Sequence, residues 1–289
     1  MRLKEVFEKS VQFFKEKKID TARLDAEILI SHALKVDRLQ IYLRYEQPLA
    51  DAEIEACRAV VRRRAQGEPV AYIIEEKGFY GEDFCVGPGV LIPRPESELI
   101  VEEALAFIKT QQMVNPKILD LGAGTGCLGF SILQNCPTAT LNTFEKSTEA
   151  QKYLLKNLSL FKLQDRTKVF CEDVDLFNFS IFEQVDVIVA NPPYIDIDDV
   201  AVEKNVKLYE PHDALFAADQ GMHFLKNWLD RTKHLLKSPG IVLFEMGYRQ
   251  GAEFKQFAES LHFFSEVQII KDLSGLDRTL KCTRLNHKL

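Results

Sequence analysis

The chain has 289 residues, 46% hydrophobic and 28% charged, the make-up of a soluble globular protein with length for two domains. Its formal net charge is −6: residues 1–77 carry 15 basic and 14 acidic side chains, and the rest nets −7. An acidic second part argues against a bare nucleic-acid duplex as substrate, because phosphate neutralisation drives most such binding.

The first part reads as helical. Val6, Phe7, Phe13 and Phe14, then Leu24, Ile28, Leu29 and Leu34, recur at spacings that put them on one helix face, and Pro48-Leu49-Ala50-Asp51 opens a further helix with 52–64 as its body. The basic cluster Arg62-Arg63-Arg64 lies on that helix and is expected to be a solvated face. Gly67-Glu68-Pro69 marks a break. From 78 to 95, glycines and prolines punctuate short extended pieces, predicting a β-hairpin linker. A helix over 96–110 then begins the second domain. There, strands at 117–121, 140–145, 167–172 and 185–190 alternate with helices at 127–134 and 147–159. After a long loop come a helix at 221–236, a strand at 241–246, a helix at 250–261 and two closing strands near 264–271 and 279–285. The alternation predicts an α/β fold, a mostly parallel sheet covered by helices on both faces, and the closing pair predicts an antiparallel edge. The expected division is 1–77 helical, 78–95 linker, 96–289 catalytic.

Six cysteines (Cys57, Cys85, Cys127, Cys136, Cys171, Cys282) form no C-x-x-C pair and no cluster with histidine, so free thiols in a reducing compartment and no metal site are expected. No run approaches the ~20 apolar residues that span a bilayer, and the first residues open an amphipathic pattern; a cytoplasmic protein is expected.

The chemistry concentrates at strand ends. Lys117-Ile118-Leu119-Asp120-Leu121 runs into Gly122-Ala123-Gly124-Thr125-Gly126, where alternate glycines let backbone pass close beneath a ligand. The next strand ends on Glu145, about 20 positions on, placed to accept hydrogen bonds from both hydroxyls of a ribose. Gly124 to Gly129 also matches the G-x-G-x-x-G spacing of dinucleotide enzymes, a weak signal alone. Asn191-Pro192-Pro193-Tyr194, directly after the apolar run 185–190, tips the choice to S-adenosylmethionine, whose ammonium Asp120 would meet directly or through water. Asn191 and a proline carbonyl each offer an acceptor, the prolines stiffen the tip, and Tyr194 can stack on a flat group. Such a set suits methyl transfer to a planar amide or amino nitrogen. Asp173 is placed for the adenine amino group with Val174 beside the ring, and Phe84, Arg94 and Glu96 would shape the site from the linker.

Together the glycine turn, Glu145 and Asn191 to Tyr194 resemble the class I methyltransferases that modify planar nitrogen. Gly67 to Tyr72, Leu91 to Glu98, and Val206 to Pro211 with Ala214-Leu215 narrow the resemblance to the release-factor glutamine methyltransferases (the HemK type), over almost the whole chain. That resemblance implies a seven-stranded Rossmann-like sheet with a small helical N-terminal domain. It implies S-adenosylmethionine as cofactor, S-adenosylhomocysteine as product, and methylation of N5 of the glutamine in the Gly-Gly-Gln tip of class-1 peptide chain release factors. A cytoplasmic monomer with no direct nucleic-acid or membrane contact is expected. A near relative methylates a ribosomal-protein glutamine with the same four-residue motif, and exocyclic amines of DNA or RNA share its chemistry, so both stay open, as does a non-catalytic adaptor.

Overall fold

The computed structural model describes residues 1–199 and 203–285; residues 200–202 of the expected long loop, and 286–289, lie outside it. The chain divides into two compact units, one of residues 1–76 with 203–209, the other of 77–202 with 210–289. Among the described residues no helix is long and apolar enough to cross a membrane.

The first unit is built from α1 (Leu3–Glu16), α2 (Ala22–Leu34), α3 (Arg38–Leu43), α4 (Asp51–Ala65) and α5 (Val70–Ile74). Leu3, Phe7 and Phe14 of α1 meet Leu29 and Ile30 of α2, Ile41 and Cys57 in one buried cluster, so the helices form by burying a shared apolar face. Glu53 accepts the Ala50 amide hydrogen and closes the start of α4. Within the basic run, Arg63 pairs with Glu68, and Arg64 with the buried Asp25 at 2.7 Å. The segment 203–209 joins this unit although it is distant in sequence: the Tyr209 hydroxyl donates to the Gln66 carbonyl, and Gly67, at φ +98°, leaves room for Asn205 where a Cβ would sit within 2.5 Å of it.

The second unit opens with a hairpin of β1 (Glu76–Phe79) and β2 (Glu82–Cys85), turned by Tyr80 and Gly81, both at positive φ as a two-residue hairpin loop requires. The chain continues through α6 (Glu98–Thr110), β3 (Lys117–Leu121), α7 (Cys127–Asn135), β4 (Thr140–Phe144), α8 (Thr148–Leu160), β5 (Thr167–Phe170) and β6 (Val185–Ala190). Then follow β7 (Ile195–Asp196), α9 (Lys204–Tyr209, of the first unit), β8 (Phe216–Ala217), α10 (His223–Thr232), β9 (Leu236–Glu245), α11 (Gly251–Ser260), β10 (Glu266–Lys271) and β11 (Asp277–Arg284).

Among the described residues, seven strands form one sheet in the order β10-β11-β9-β6-β3-β4-β5, and only β11 runs against the rest. Side chains alternate across it: Val187, Val189, Ile241 and Leu243 face α6, α7 and α8, whereas Ile188, Ala190, Val242 and Phe244 face α10 and α11. Both faces are therefore buried, which explains why β6 reads as a nearly continuous apolar run.

A helix over 221–236 and a strand from 241 are expected; instead α10 ends at Thr232, a 3-10 turn covers Lys233–Leu235, and β9 begins at Leu236. Pro239 can donate no ladder hydrogen bond, and the pairing register with β6 shifts in this stretch, between Val185 and Val187. The first half of the strand, 236–240, was hidden because it is irregular. The long loop also holds a short parallel pair, β7 with β8, whose two-residue strands have no periodicity to read.

Candidate active site

The topology brings the strand-end residues together. β3 is flanked by β4 on one side and β6 on the other, so strand order reverses there; Leu121 is level with Phe144 and with Ala190. The loops after these three strands consequently open onto one crevice, where open α/β sheets bind ligands. It holds a cavity of about 680 Å³, lined by residues 122–125 of the glycine loop, Glu145, Lys146, Asp173, Val174, Asn191, Pro193, Trp228 and residues 211–214.

At one end, Gly122, Gly124 and Gly126 all adopt positive φ, the conformation that a side chain resists. Glu145 knits this loop to the next strand: Oε2 accepts the Gly124 amide at 2.8 Å and Oε1 the Ser147 amide at 2.8 Å. Burial pushes the Glu145 carboxyl upward, and those amides, Ser147 first, oppose the rise. Behind the loop, the fully buried Asn157 accepts from the Cys85 amide and donates to the Cys85 and Thr125 carbonyls, pinning the hairpin and glycine loop to α8. Asp120 is buried beneath: Oδ2 accepts the Gly129 amide, Oδ1 has no partner among the described residues, and burial pushes the group up to about 7.

Further along, the Asp173 side chain caps its own loop at the Asp175 amide and pairs with Lys146 at 3.5 Å. Asp175 accepts from the Trp228 indole, and Trp228 packs where a Gly122 Cβ would fall, 2.8 Å from its ring. At the other end, Asn191 donates through Nδ2 to the Ser97 hydroxyl at 3.0 Å, and no described group donates to its Oδ1. Ser97 in turn bonds Glu245, whose other oxygen accepts the Tyr194 hydroxyl at 2.9 Å.

Two family models match: the PrmC N-terminal domain over residues 5–74 and the methyltransferase small domain over 101–209. The chain is 36% identical to the release factor glutamine methyltransferase of Chlorobaculum tepidum, over 96% of each chain. It is 35% identical to that of Geobacter sulfurreducens, covering 93% of this chain and 92% of the relative. The chain belongs to the release factor glutamine methyltransferase family. In fold alone it is also similar to the hMettl16 catalytic domain, at 13% identity and a TM-score of 0.56, over 83% of this chain and 84% of that one.

The cavity fits the nucleoside-sulfonium cofactor of such a methyltransferase. It lies within the ~300–1,000 Å³ of small-molecule sites. Gly122 and Gly124, both at positive φ, line it, the Glu145 oxygens keep lone pairs beyond those used by backbone, and Asp120 Oδ1 is buried with no partner among the described residues.

Of the residues singled out from sequence, Gly122, Ala123, Gly124, Thr125, Glu145, Asp173, Val174, Asn191 and Pro193 line the cavity. Asp120, Gly126, Pro192 and Tyr194 are not part of that lining. The Tyr194 hydroxyl is tied to Glu245. Of the linker residues, Arg94 lines the cavity and pairs with the buried Glu210 at 2.6 Å; Phe84 instead packs in the core against Phe161. Ser97, Glu245, Asn157 and Trp228 carry much of the local geometry and were not assigned roles from sequence. Glu245 gave the same signal as Glu145, a carboxylate ending a buried strand.

Proposed function

We propose that this methyltransferase methylates N5 of the glutamine in the Gly-Gly-Gln motif of class-1 peptide chain release factors. The observation carrying this is Asn191, which lines the same cavity as the glycine loop and Glu145 and whose Oδ1 has no protein donor among the described residues.

When bound, S-adenosylmethionine supplies an activated methyl group on a sulfonium. In this reading Glu145 would hold the ribose hydroxyls, Gly122 to Gly126 the methionine portion, Asp120 its ammonium directly or through water, and Asp173 and Val174 the adenine.

An amide nitrogen is a poor nucleophile because its lone pair is delocalised into the carbonyl, the resonance behind the ~18–20 kcal/mol rotation barrier of a peptide bond. Asn191 Oδ1 and the Pro192 carbonyl each accept one hydrogen of the substrate –NH2. They hold its lone-pair face toward the reacting centre and stabilise the positive charge that develops on nitrogen. Positioning of this kind supplies ~7–11 kcal/mol in favourable cases, and oriented dipoles add to it. The proton leaves after attack, to solvent. Pro193 stiffens the tip, and Tyr194 acts from behind it. The helical unit is the docking surface for the protein substrate, and the enzyme works as a cytoplasmic monomer.

Incubation with labelled S-adenosylmethionine and, in parallel, release factor, ribosomal protein and nucleic acid tests this. Label on the release-factor glutamine, lost when that glutamine is replaced by glutamate, is the expected result; label on ribosomal protein or nucleic acid alone would overturn it.

A further inference from the structure

We infer that Ser97 and Glu245, with Tyr194, form a positioning relay that fixes which end of the Asn191 carboxamide faces the cavity. The inference rests on the glutamine-methylation reading for its catalytic consequence, and on connectivity alone for its geometry.

The direction of each hydrogen bond follows from what each group can offer. An ionised carboxylate only accepts, so Glu245, buried with 1% exposure, takes one hydrogen from the Tyr194 hydroxyl and one from Ser97. A serine hydroxyl has a single hydrogen. Once it is given to Glu245, the Ser97 oxygen can only accept from Asn191, so the group meeting it must be the –NH2 of the carboxamide. Oδ1 is thereby left on the other side. Turned over, the carboxamide would set two oxygens against each other with no hydrogen between them, and would present its –NH2 to the substrate –NH2. Burial raises the Glu245 carboxyl, while the Ser97 and Tyr194 hydroxyls, and then Arg278, oppose the rise.

Each support is itself held. Ser97, 1% exposed, ends the 3-10 turn Pro95–Ser97 where α6 begins. The approach to that turn is anchored by the buried Glu210, which accepts from the Ile92 amide at 3.1 Å and from Arg94. Tyr194 is fixed through its carbonyl to Gln250 Nε2 at 2.9 Å. Residues 97, 191, 194 and 245 thus converge from the start of α6, the end of β6 and the end of β9. Neither Ser97 nor Glu245 is given contact with the reacting atoms; both act through Asn191.

Two measurements on the full chain decide it. Ser97→Ala should lower kcat about tenfold, the scale of one hydrogen bond, with cofactor Kd unchanged; Ser97→Thr, which keeps the hydroxyl, should restore kcat. In asparagine-labelled protein, the side-chain amide hydrogens of Asn191 should exchange with solvent slowly in the wild type and faster in Ser97→Ala. An unchanged kcat in Ser97→Ala, or wild-type exchange as fast as in an exposed asparagine, would overturn the relay. The wild-type exchange rate needs no substrate and no variant. It therefore decides the relay even if no glutamine is methylated, an outcome that counts against the proposed function and not the geometry, and equally if the threonine variant does not fold.

Discussion

Glu145 and Gly124 are joined by a 2.8 Å hydrogen bond from the glycine amide to the carboxylate, 21 residues apart in sequence. The acid at the end of β4 therefore shapes the glycine loop after β3 as well as facing the cavity. A substitution at Glu145 removes a support of the loop and, in the proposed reading, the acceptor for the ribose hydroxyls.

Replacing Glu145 by Ala should weaken S-adenosylmethionine binding by roughly ten- to a hundredfold, the scale of hydrogen bonds to a charged group. kcat at saturating cofactor should fall far less. Calorimetric titration with single-turnover rates checks both, and an unchanged Kd would remove Glu145 from the cofactor site.

Gly124 and Gly126 separate the two uses of a glycine. Gly126→Ala places a Cβ 2.3 Å from Phe130 and 2.8 Å from Leu154 at φ +83°, so strain and overpacking together should cost about 2–5 kcal/mol of unfolding free energy. Gly124→Ala, at φ +57°, meets only Val90 at 3.7 Å and should cost about 1–2 kcal/mol, yet its methyl intrudes at the cavity floor and should weaken cofactor binding. Denaturant melts and binding isotherms for the pair check this.

Asp120 makes stability depend on pH. Its folded value, raised by burial from 3.8 to about 7, means that the native state holds a proton the unfolded state has released. Its contribution is complete below the unfolded value and is lost as pH rises through about 7. Asp120→Asn, which cannot ionise, should therefore gain on the wild type by roughly 2–4 kcal/mol between about pH 4 and pH 8. Urea melts of the cofactor-free proteins measure it, and parallel pH profiles would contradict it.

Glu245 should set an acid limit on turnover. The relay needs its carboxylate ionised, and burial holds its pKa above the usual value against Ser97, Tyr194 and Arg278, with Glu96 repelling the charge. kcat at saturating substrates should fall on acidification at a pH above that of an exposed carboxylate. Glu245→Gln should remove this limb and lower the plateau, as a pH–rate profile would record.

The fold was legible because the second unit repeats strand and helix with clean apolar runs, and because glycine turns and strand-terminal carboxylates carry their own local signal. Asn191 could be placed at a strand exit for that reason. Its support could not: Ser97 lies 94 residues away and Glu245 a further 148 from Ser97, and no periodicity links them. Tyr194 shows the limit on one side chain. An aromatic beside two prolines reads as a stacking surface, yet its hydroxyl is taken by Glu245, which only the paired strands β6 and β9 bring near. Likewise Asp120 precedes the glycine loop in sequence but lies one layer under it, because β3 is buried on both faces.

The role of Asn191 is decided by the turnover of Asn191→Ala on a release factor bearing the intact Gly-Gly-Gln tip. kcat should fall by roughly 10²–10³, as for loss of one preorganised polar partner, with S-adenosylmethionine affinity nearly unchanged. Near-full turnover by that variant would contradict that role.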